Sequence, residues 1–204
     1  MGRLPGKPWK IYLIPADGGV LQPLLREGWS EWFPGWMPDG NSLVFCREIS
    51  HQVSEEEKSS KHPLVWIMDL RSRQTRTIPG TEIADCPRVS PDGRYLVLTC
   101  FGKVMLYDFS TQQWEEVARD GEFRLPSWSH DSKYVYFCDW KSQDDLYDRV
   151  GIRDRKRERV VNLGGIVGGS LFGMPWVGLT PDEAPLAPLG ETNQQIFAID
   201  WKAP

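Results

Sequence analysis

A short acidic turn returns along the chain at nearly constant spacing, and that return limits what the sequence can fold into. In the stretch from Cys86 to Phe109, CPRVSPDGRYLVLTCFGKVMLYDF, the segment Ser90-Pro91-Asp92-Gly93 supplies a tight turn. Proline presets φ, the aspartate carboxylate accepts nearby backbone N–H groups, and glycine tolerates positive φ. Gly102-Lys103 reads as a second turn, and the runs Tyr95 to Thr99 and Val104 to Tyr107 are short, apolar and rich in strand formers. The stretch is therefore three strands joined by two turns.

The unit restarts at Phe33-Pro34-Gly35-Trp36-Met37-Pro38-Asp39-Gly40, with Ser42 to Cys46 as second strand, Leu64 to Asp69 as third and Thr75 to Ile78 as fourth. It starts again from Leu125 through Trp128-Ser129-His130-Asp131-Ser132, followed by Tyr134 to Cys138, Val150 to Asp154 and Arg159 to Leu163. Met174-Pro175-Trp176 and Leu179-Thr180-Pro181-Asp182 open a divergent copy that finishes on Gln195 to Trp201. A hairpin leads the series, with Lys10 to Ile14 and Val20 to Leu25 flanking a Pro/Asp/Gly turn.

The turn aspartates measure the period. Asp39 and Asp92 are 53 residues apart and Asp92 and Asp131 are 39 apart; without the polar thirteen-residue segment Ser50 to His62, read as an exposed loop, the first interval is 40. The aspartates placed at third-strand ends, Asp69, Asp108, Asp154 and Asp200, follow at 39, 46 and 46. Four short strands per period near 40 residues are the signature of propeller blades. The expected fold class is all-β: a β-propeller-like domain of about four blades of four-stranded antiparallel sheet. An incomplete or open ring is expected, because the leading hairpin already resembles third and fourth strands. As a single domain it divides into a hairpin at 10–25, blades at 33–79, 86–118 and 125–163, and a divergent terminal blade at 170–201.

These turns resemble those of the TolB-type WD40-like β-propeller repeat family, whose blades carry a W-S-P-D-G turn between their first two strands. Ser90-Pro91-Asp92-Gly93 matches closely, and Trp36 to Gly40 and Trp128 to Ser132 match with one and two departures. The segments Ser170-Leu171-Phe172-Gly173, Pro175 to Asp182 and Ile199-Asp200-Trp201 resemble the C-terminal propeller part of bacterial regulator and kinase-linked proteins. In those proteins a winged-helix or kinase domain precedes the propeller, and neither is expected within this chain. The resemblance implies a non-catalytic protein-interaction or sensor module.

A net charge of −4 gives no reason to expect a nucleic-acid partner. No apolar run approaches the roughly eighteen residues that span a bilayer, and Pro5, Gly6 and Pro8 interrupt any signal-peptide core. The compartment expected is the cytoplasm as the chain is written, or the periplasm if it belongs to a longer exported or anchored protein. Cys46, Cys86, Cys100 and Cys138 show no metal-ligand spacing, and three of them fall near the end of the same repeat strand, where cysteine serves as a small buried apolar residue.

The motif aspartates Asp39, Asp92, Asp131 and Asp182, with Gly40 and Gly93, read as turn formers, since catalysis has no need of one carboxylate per blade. The histidines are His51, His62 and His130, and Gly168-Gly169-Ser170-Leu171-Phe172 lacks the final glycine of a nucleophile elbow, so no enzyme is expected. The sets His51, Glu55, Glu56, Glu57, His62 and Asp144, Asp145, Asp148 lack recognised ligand spacing, so no metal or cofactor is expected.

What the repeat does not require is more informative. Arg149, Arg153, Arg155, Lys156, Arg157 and Arg159 form one basic ribbon, which reads either as a contact for an acidic partner or as protection of a sheet edge. Trp36, Trp128 and Trp176 share one repeat position and are expected to pack between blades. Trp29, Trp32 and Trp140 are placed in connecting loops, where aromatic residues make good interface anchors. The candidate partner-binding residues are thus Trp29, Trp32, Trp140, Arg153, Arg155 and Arg157, for a protein partner or a second copy that closes the ring. The alternatives are a substrate-gating propeller of a prolyl-oligopeptidase-like hydrolase, and a small ligand or metal in the channel.

Overall fold

The second strand of each unit is apolar along its length, as in Leu43-Val44-Phe45-Cys46 and Val135-Tyr136-Phe137-Cys138, and these residues are buried whichever way they point. A strand buried on both faces needs a layer on either side, and repetition of the unit provides it. The computed structural model describes residues 8–25, 29–48, 64–82, 84–139, 141, 146–162 and 178–186. A hairpin of β1 (Tyr12–Leu13) and β2 (Gln22–Pro23) leads. Blade one is β3 (Ser30–Trp36), β4 (Ser42–Glu48), β5 (Val65–Asp69) and β6 (Thr75–Thr77). Blade two is β7 (Asp85–Val89), β8 (Tyr95–Cys100), β9 (Lys103–Asp108) and β10 (Gln113–Ala118). Blade three is β11 (Phe123–Trp128), β12 (Tyr134–Asp139), β13 (Leu146–Gly151) and β14 (Arg157–Asn162), and a hairpin of β15 (Gly178–Leu179) and β16 (Pro185–Leu186) follows. Each sheet is an antiparallel meander in sequence order. The architecture is all-β propeller blades, without helix and without pairing between the first and last hairpins among the described residues.

The blades stack through their faces. In β8, Leu96 and Leu98 pack with Val44 and Ile67 of blade one, whereas Val97 packs with Phe123, Val135 and Phe137 of blade three. The period-two alternation of a strand thus serves two interfaces at once. Ile11 and Leu24 close the near side against Phe45 and Met68, and Leu179 packs against the Tyr136/Tyr147 cluster on the far side. The leading segment is seated on β3 by the fully buried Glu31, which accepts from Lys10 Nζ at 2.8 Å and Ile11 N at 3.1 Å.

Several expectations need revision. β13 ends at Gly151, because all six residues of β12 pair with Leu146 to Gly151. Asp69, Asp108 and Gly151 accept the equivalent turn bonds, from Arg73, Gln112 and Arg155 N–H, so Asp154 lies three residues past the repeat position. The leading strands are two residues each, shorter than expected. Trp32 sits in strand β3 opposite Cys46, not in a loop. Trp128 is 8% exposed, whereas Trp36 is 59% exposed: Tyr95 of the preceding blade stacks on Trp128, and no described residue of the short leading hairpin does this for Trp36. Trp176 and Trp140 lie outside the described residues.

Two backbone features recur in every blade. Phe33, Cys86 and Leu125, each before a proline, have φ of 51°, 51° and 52° and mark a β-bulge in the innermost strand. Proline is tolerated at such an edge bulge because no ladder donor is needed there. At the acidic turns the last position is also left-handed: Gly40 (φ 68°), Gly93 (φ 74°), Ser132 (φ 61°) and Glu183 (φ 66°). Ser132 and Glu183 offset that cost by joining neighbouring turns, for Ser132 Oγ accepts from Asp92 N at 3.1 Å and Glu183 Oε1 from His130 N at 3.0 Å. Gly93 has no side chain to do so, and Gly93→Ala is expected to lose about 1 kcal/mol, from the Cβ clash of left-handed L-residues, read as a lower urea midpoint at unchanged slope.

Candidate partner-binding face

Antiparallel meanders send their connections alternately to two ends of the blade stack. One end carries the acidic turns. There Asp92 accepts from Ser90 Oγ at 2.6 Å and Arg94 N at 3.0 Å, Asp39 from Asn41 N at 2.9 Å, and Asp182 from the Thr180 hydroxyl. Asp131 accepts from Lys133 and from Ser129 Oγ, and the Lys133 ammonium followed by the Ser129 hydroxyl holds its pKa at about 2. These carboxylates are occupied by their own turns.

The basic ribbon belongs mostly to blade three's own packing. Arg155 holds the left-handed position of the β13–β14 turn and reaches back to Glu115 of blade two. Arg73, at the equivalent position of blade one, reaches back to the Leu24 carbonyl at 3.0 Å. The two arginines therefore staple successive units. Arg157 lies over the Phe123 and Phe137 rings and bonds both Asp139 and Asp148, at 2.8 and 2.7 Å. Burial alone would lower its pKa; the two carboxylates raise it above its ordinary value. Arg149 pairs with Glu158, and Arg153 is exposed.

The opposite end carries the starts of β3, β7 and β11, the β8–β9 turn, and Leu64, which leads into β5. Among the described residues, two pockets open here. One, of about 280 Å³, lies between blades one and two against Trp32, Phe33, Arg47 and Asp85; the other, of about 350 Å³, lies between blades two and three against Glu82, Thr99, Phe101, Phe123 and Arg124. They share Leu64, Ala84 and Asp85, so together they form one groove across three blades.

Two of the tryptophans singled out in the sequence line or flank this groove. Arg47, 6% exposed, lies between the rings of Trp29 (4.5 Å) and Trp66 (4.9 Å), and burial lowers its pKa. Trp32 packs on Trp9 with centroids 5.1 Å apart, and its buried Nε1 has no hydrogen-bond partner among the described residues. Cys86, buried next to Asp85 in β7, has its thiol pushed up to about 12, by burial first and the Asp85 carboxylate second. None of the four cysteines is in a disulfide. No group of three or more His, Cys, Asp and Glu is placed to hold a metal among the described residues.

Sequence reasoning missed Phe101. The β8–β9 turn is Phe101-Gly102 rather than Gly102-Lys103, since Lys103 pairs with Cys100. Both turn residues have positive φ, 37° and 76°, the geometry for which Asn-Gly or Asp-Gly is the usual choice. An aromatic residue there costs about 1–2 kcal/mol of backbone strain. Phe101 is nevertheless 79% exposed, at the mouth of the larger pocket, and gains nothing from burial in return. The available signal was an aromatic residue where a turn former belongs.

No family model matches the chain. A curated relative, an uncharacterized protein of Agrobacterium fabrum, is 29% identical over 170 residues, covering 78% of this chain and 54% of that protein. The chain thus spans about half the length of the curated relative it matches. Among solved structures it is similar to TolB from Acinetobacter baumannii, with 18% identity and a TM-score of 0.63 over 90% of this chain and 44% of that one. It is also similar to oligogalacturonate lyase from Vibrio parahaemolyticus, with 16% identity and a TM-score of 0.59 over 85% of this chain and 49% of that one. The fold is that of the TolB-like β-propellers.

Proposed function

We propose that this chain is a non-catalytic protein-interaction module, the sensor or scaffold part of a bacterial regulator, which receives its partner at the groove end of the blades. The observation that carries this reading is Phe101: a strained, exposed aromatic side chain beside an apolar-floored groove. Strain of that kind persists where function uses it, and exposed aromatic residues are what interfaces bury first. The two ends of the stack also divide their work. At the turn end the repeat carboxylates are consumed by local hydrogen bonds, whereas the groove end presents Phe101 to solvent.

Quantitative affinity capture tests this, with wild-type and Phe101→Ser baits and extract of the native host. A shared partner recovered at least fivefold less on Phe101→Ser, at an unchanged melting temperature, is the expected result. Equal recovery on both baits, or turnover of a substrate by the isolated chain without any partner, would overturn the reading.

A further inference from the structure

We infer that the groove end selects a partner segment that is extended and cationic, inserting a lysine or arginine side chain into the larger pocket; this rests on the interaction-module reading above. The pocket is lined by three carboxylates, Glu82, Asp85 and Glu122, against one guanidinium, Arg124. Arg124 and Glu122 approach at 3.8 Å, both partly exposed. Among the described residues neither Glu82 nor Asp85 stands in an ion pair. Among the described residues Glu82 and Asp85 thus meet no cation at this mouth, Asp85 standing beside the Cys86 thiol.

Size and surface chemistry narrow the occupant. About 350 Å³ is at the low end of small-molecule sites and accommodates one or two side chains rather than a bulky cofactor. Lysine and arginine lay their aliphatic stems on apolar surface while the charged head stays with polar groups. Here Leu64, Ala84 and Phe123 offer the surface and Glu82, Asp85 and Glu122 the counter-charge. Phe101 stands at the mouth of the pocket with its ring exposed, where an apolar neighbour of the inserted residue, or the cation itself over the ring face, would cover it. The smaller pocket continues the groove under the next residues of an extended segment, with Trp32, Phe33 and the buried Arg47 in its wall, so the cationic residue belongs in the larger pocket and apolar neighbours in the smaller. A free polyamine would satisfy the carboxylates but leave Phe101 and the smaller pocket bare, which is why a protein segment is the occupant.

Fluorescence anisotropy tests the assignment with a labelled peptide, Gly-Leu-Lys-Leu-Arg-Leu-Gly, its charge-reversed twin carrying glutamate at both basic positions, and spermidine as competitor. Saturable binding of the basic peptide, at least tenfold tighter than the twin and weakened at least tenfold in Glu82→Gln/Glu122→Gln, is expected. Asp131→Asn at the opposite end should leave binding unchanged. Added salt should weaken it, because exposed charge pairs are screened within about 10 Å at 0.1 M. Absence of binding, equal affinity for the twin, an unaffected double variant, or complete competition by spermidine at the peptide's own concentration would each overturn it. If Phe101→Ser loses its partner in the capture experiment while Glu82→Gln/Glu122→Gln retains it, the interaction module stands and the cationic selectivity falls.

Discussion

Trp128→Ala is expected to cost about 3–5 kcal/mol, the range for emptying a buried aromatic site, while Trp36→Ala at the same position of the repeat stays within about 0.5 kcal/mol. Trp128 fills the space between blades two and three, stacks on Tyr95 at 6.3 Å and donates from Nε1 to the Arg88 carbonyl at 3.0 Å. Its removal leaves a cavity bounded by Val97 and Val135, neither with solvent access, and deprives a carbonyl of its donor. Trp36 loses only partial contact. Urea denaturation of both variants checks the pair: a large drop in midpoint for one and almost none for the other. Equal losses would mean that Trp36 is covered in solution.

The period was readable because turns obey local chemistry. Pro, Asp and Gly at fixed offsets announce a tight turn wherever the chain makes one, and apolar runs between them must be strands. The same local logic misplaced Asp154, because the β13–β14 turn also employs an aspartate, which accepts from Lys156 N at 3.1 Å. It misplaced the β8–β9 turn as well, since nothing in Phe101 itself proclaims a left-handed residue. What could not be read were arrangements made by packing. Arg155 meets Glu115 across 40 residues and Arg157 meets Asp139 across 18, and no spacing rule links such pairs. The basic ribbon, which in sequence read either as a partner contact or as edge protection, is therefore largely committed to ion pairs in the fold. Trp29 and Trp32 were noticed because the repeat did not require them, yet the Arg47 guanidinium between Trp29 and Trp66, and the groove beside it, arise only once β3, β4 and β5 are aligned.

Arg157→Met should destabilise the chain by about 3 kcal/mol at pH 7, the cost of stranding buried carboxylates, and the loss should shrink on acidification. Methionine keeps an apolar stem against Phe123 and Phe137, so the change isolates the charge. Asp148 is 1% exposed and among the described residues retains only the Arg159 cation, at 3.0 Å, while Asp139 keeps the Glu122 and Lys141 amides but loses its cation. A third of the Arg157 side chain reaches solvent, which places the effect at the low end for a buried pair. Burial alone would raise the pKa of Asp139; the Glu122 amide, Arg157 and the Lys141 amide together hold it below the ordinary value. A carboxyl depressed on folding contributes stability that is present above its unfolded pKa, near 4, and is lost as pH falls through the lower folded value. In Arg157→Met that contribution is diminished from the start, and protonation relieves the stranded charge instead. Wild type should therefore lose stability between pH 7 and pH 3 faster than the variant, and their urea midpoints should converge. A difference of under 1 kcal/mol at pH 7, or one that stays constant with pH, would show that the Asp139–Arg157–Asp148 cluster contributes shape rather than charge.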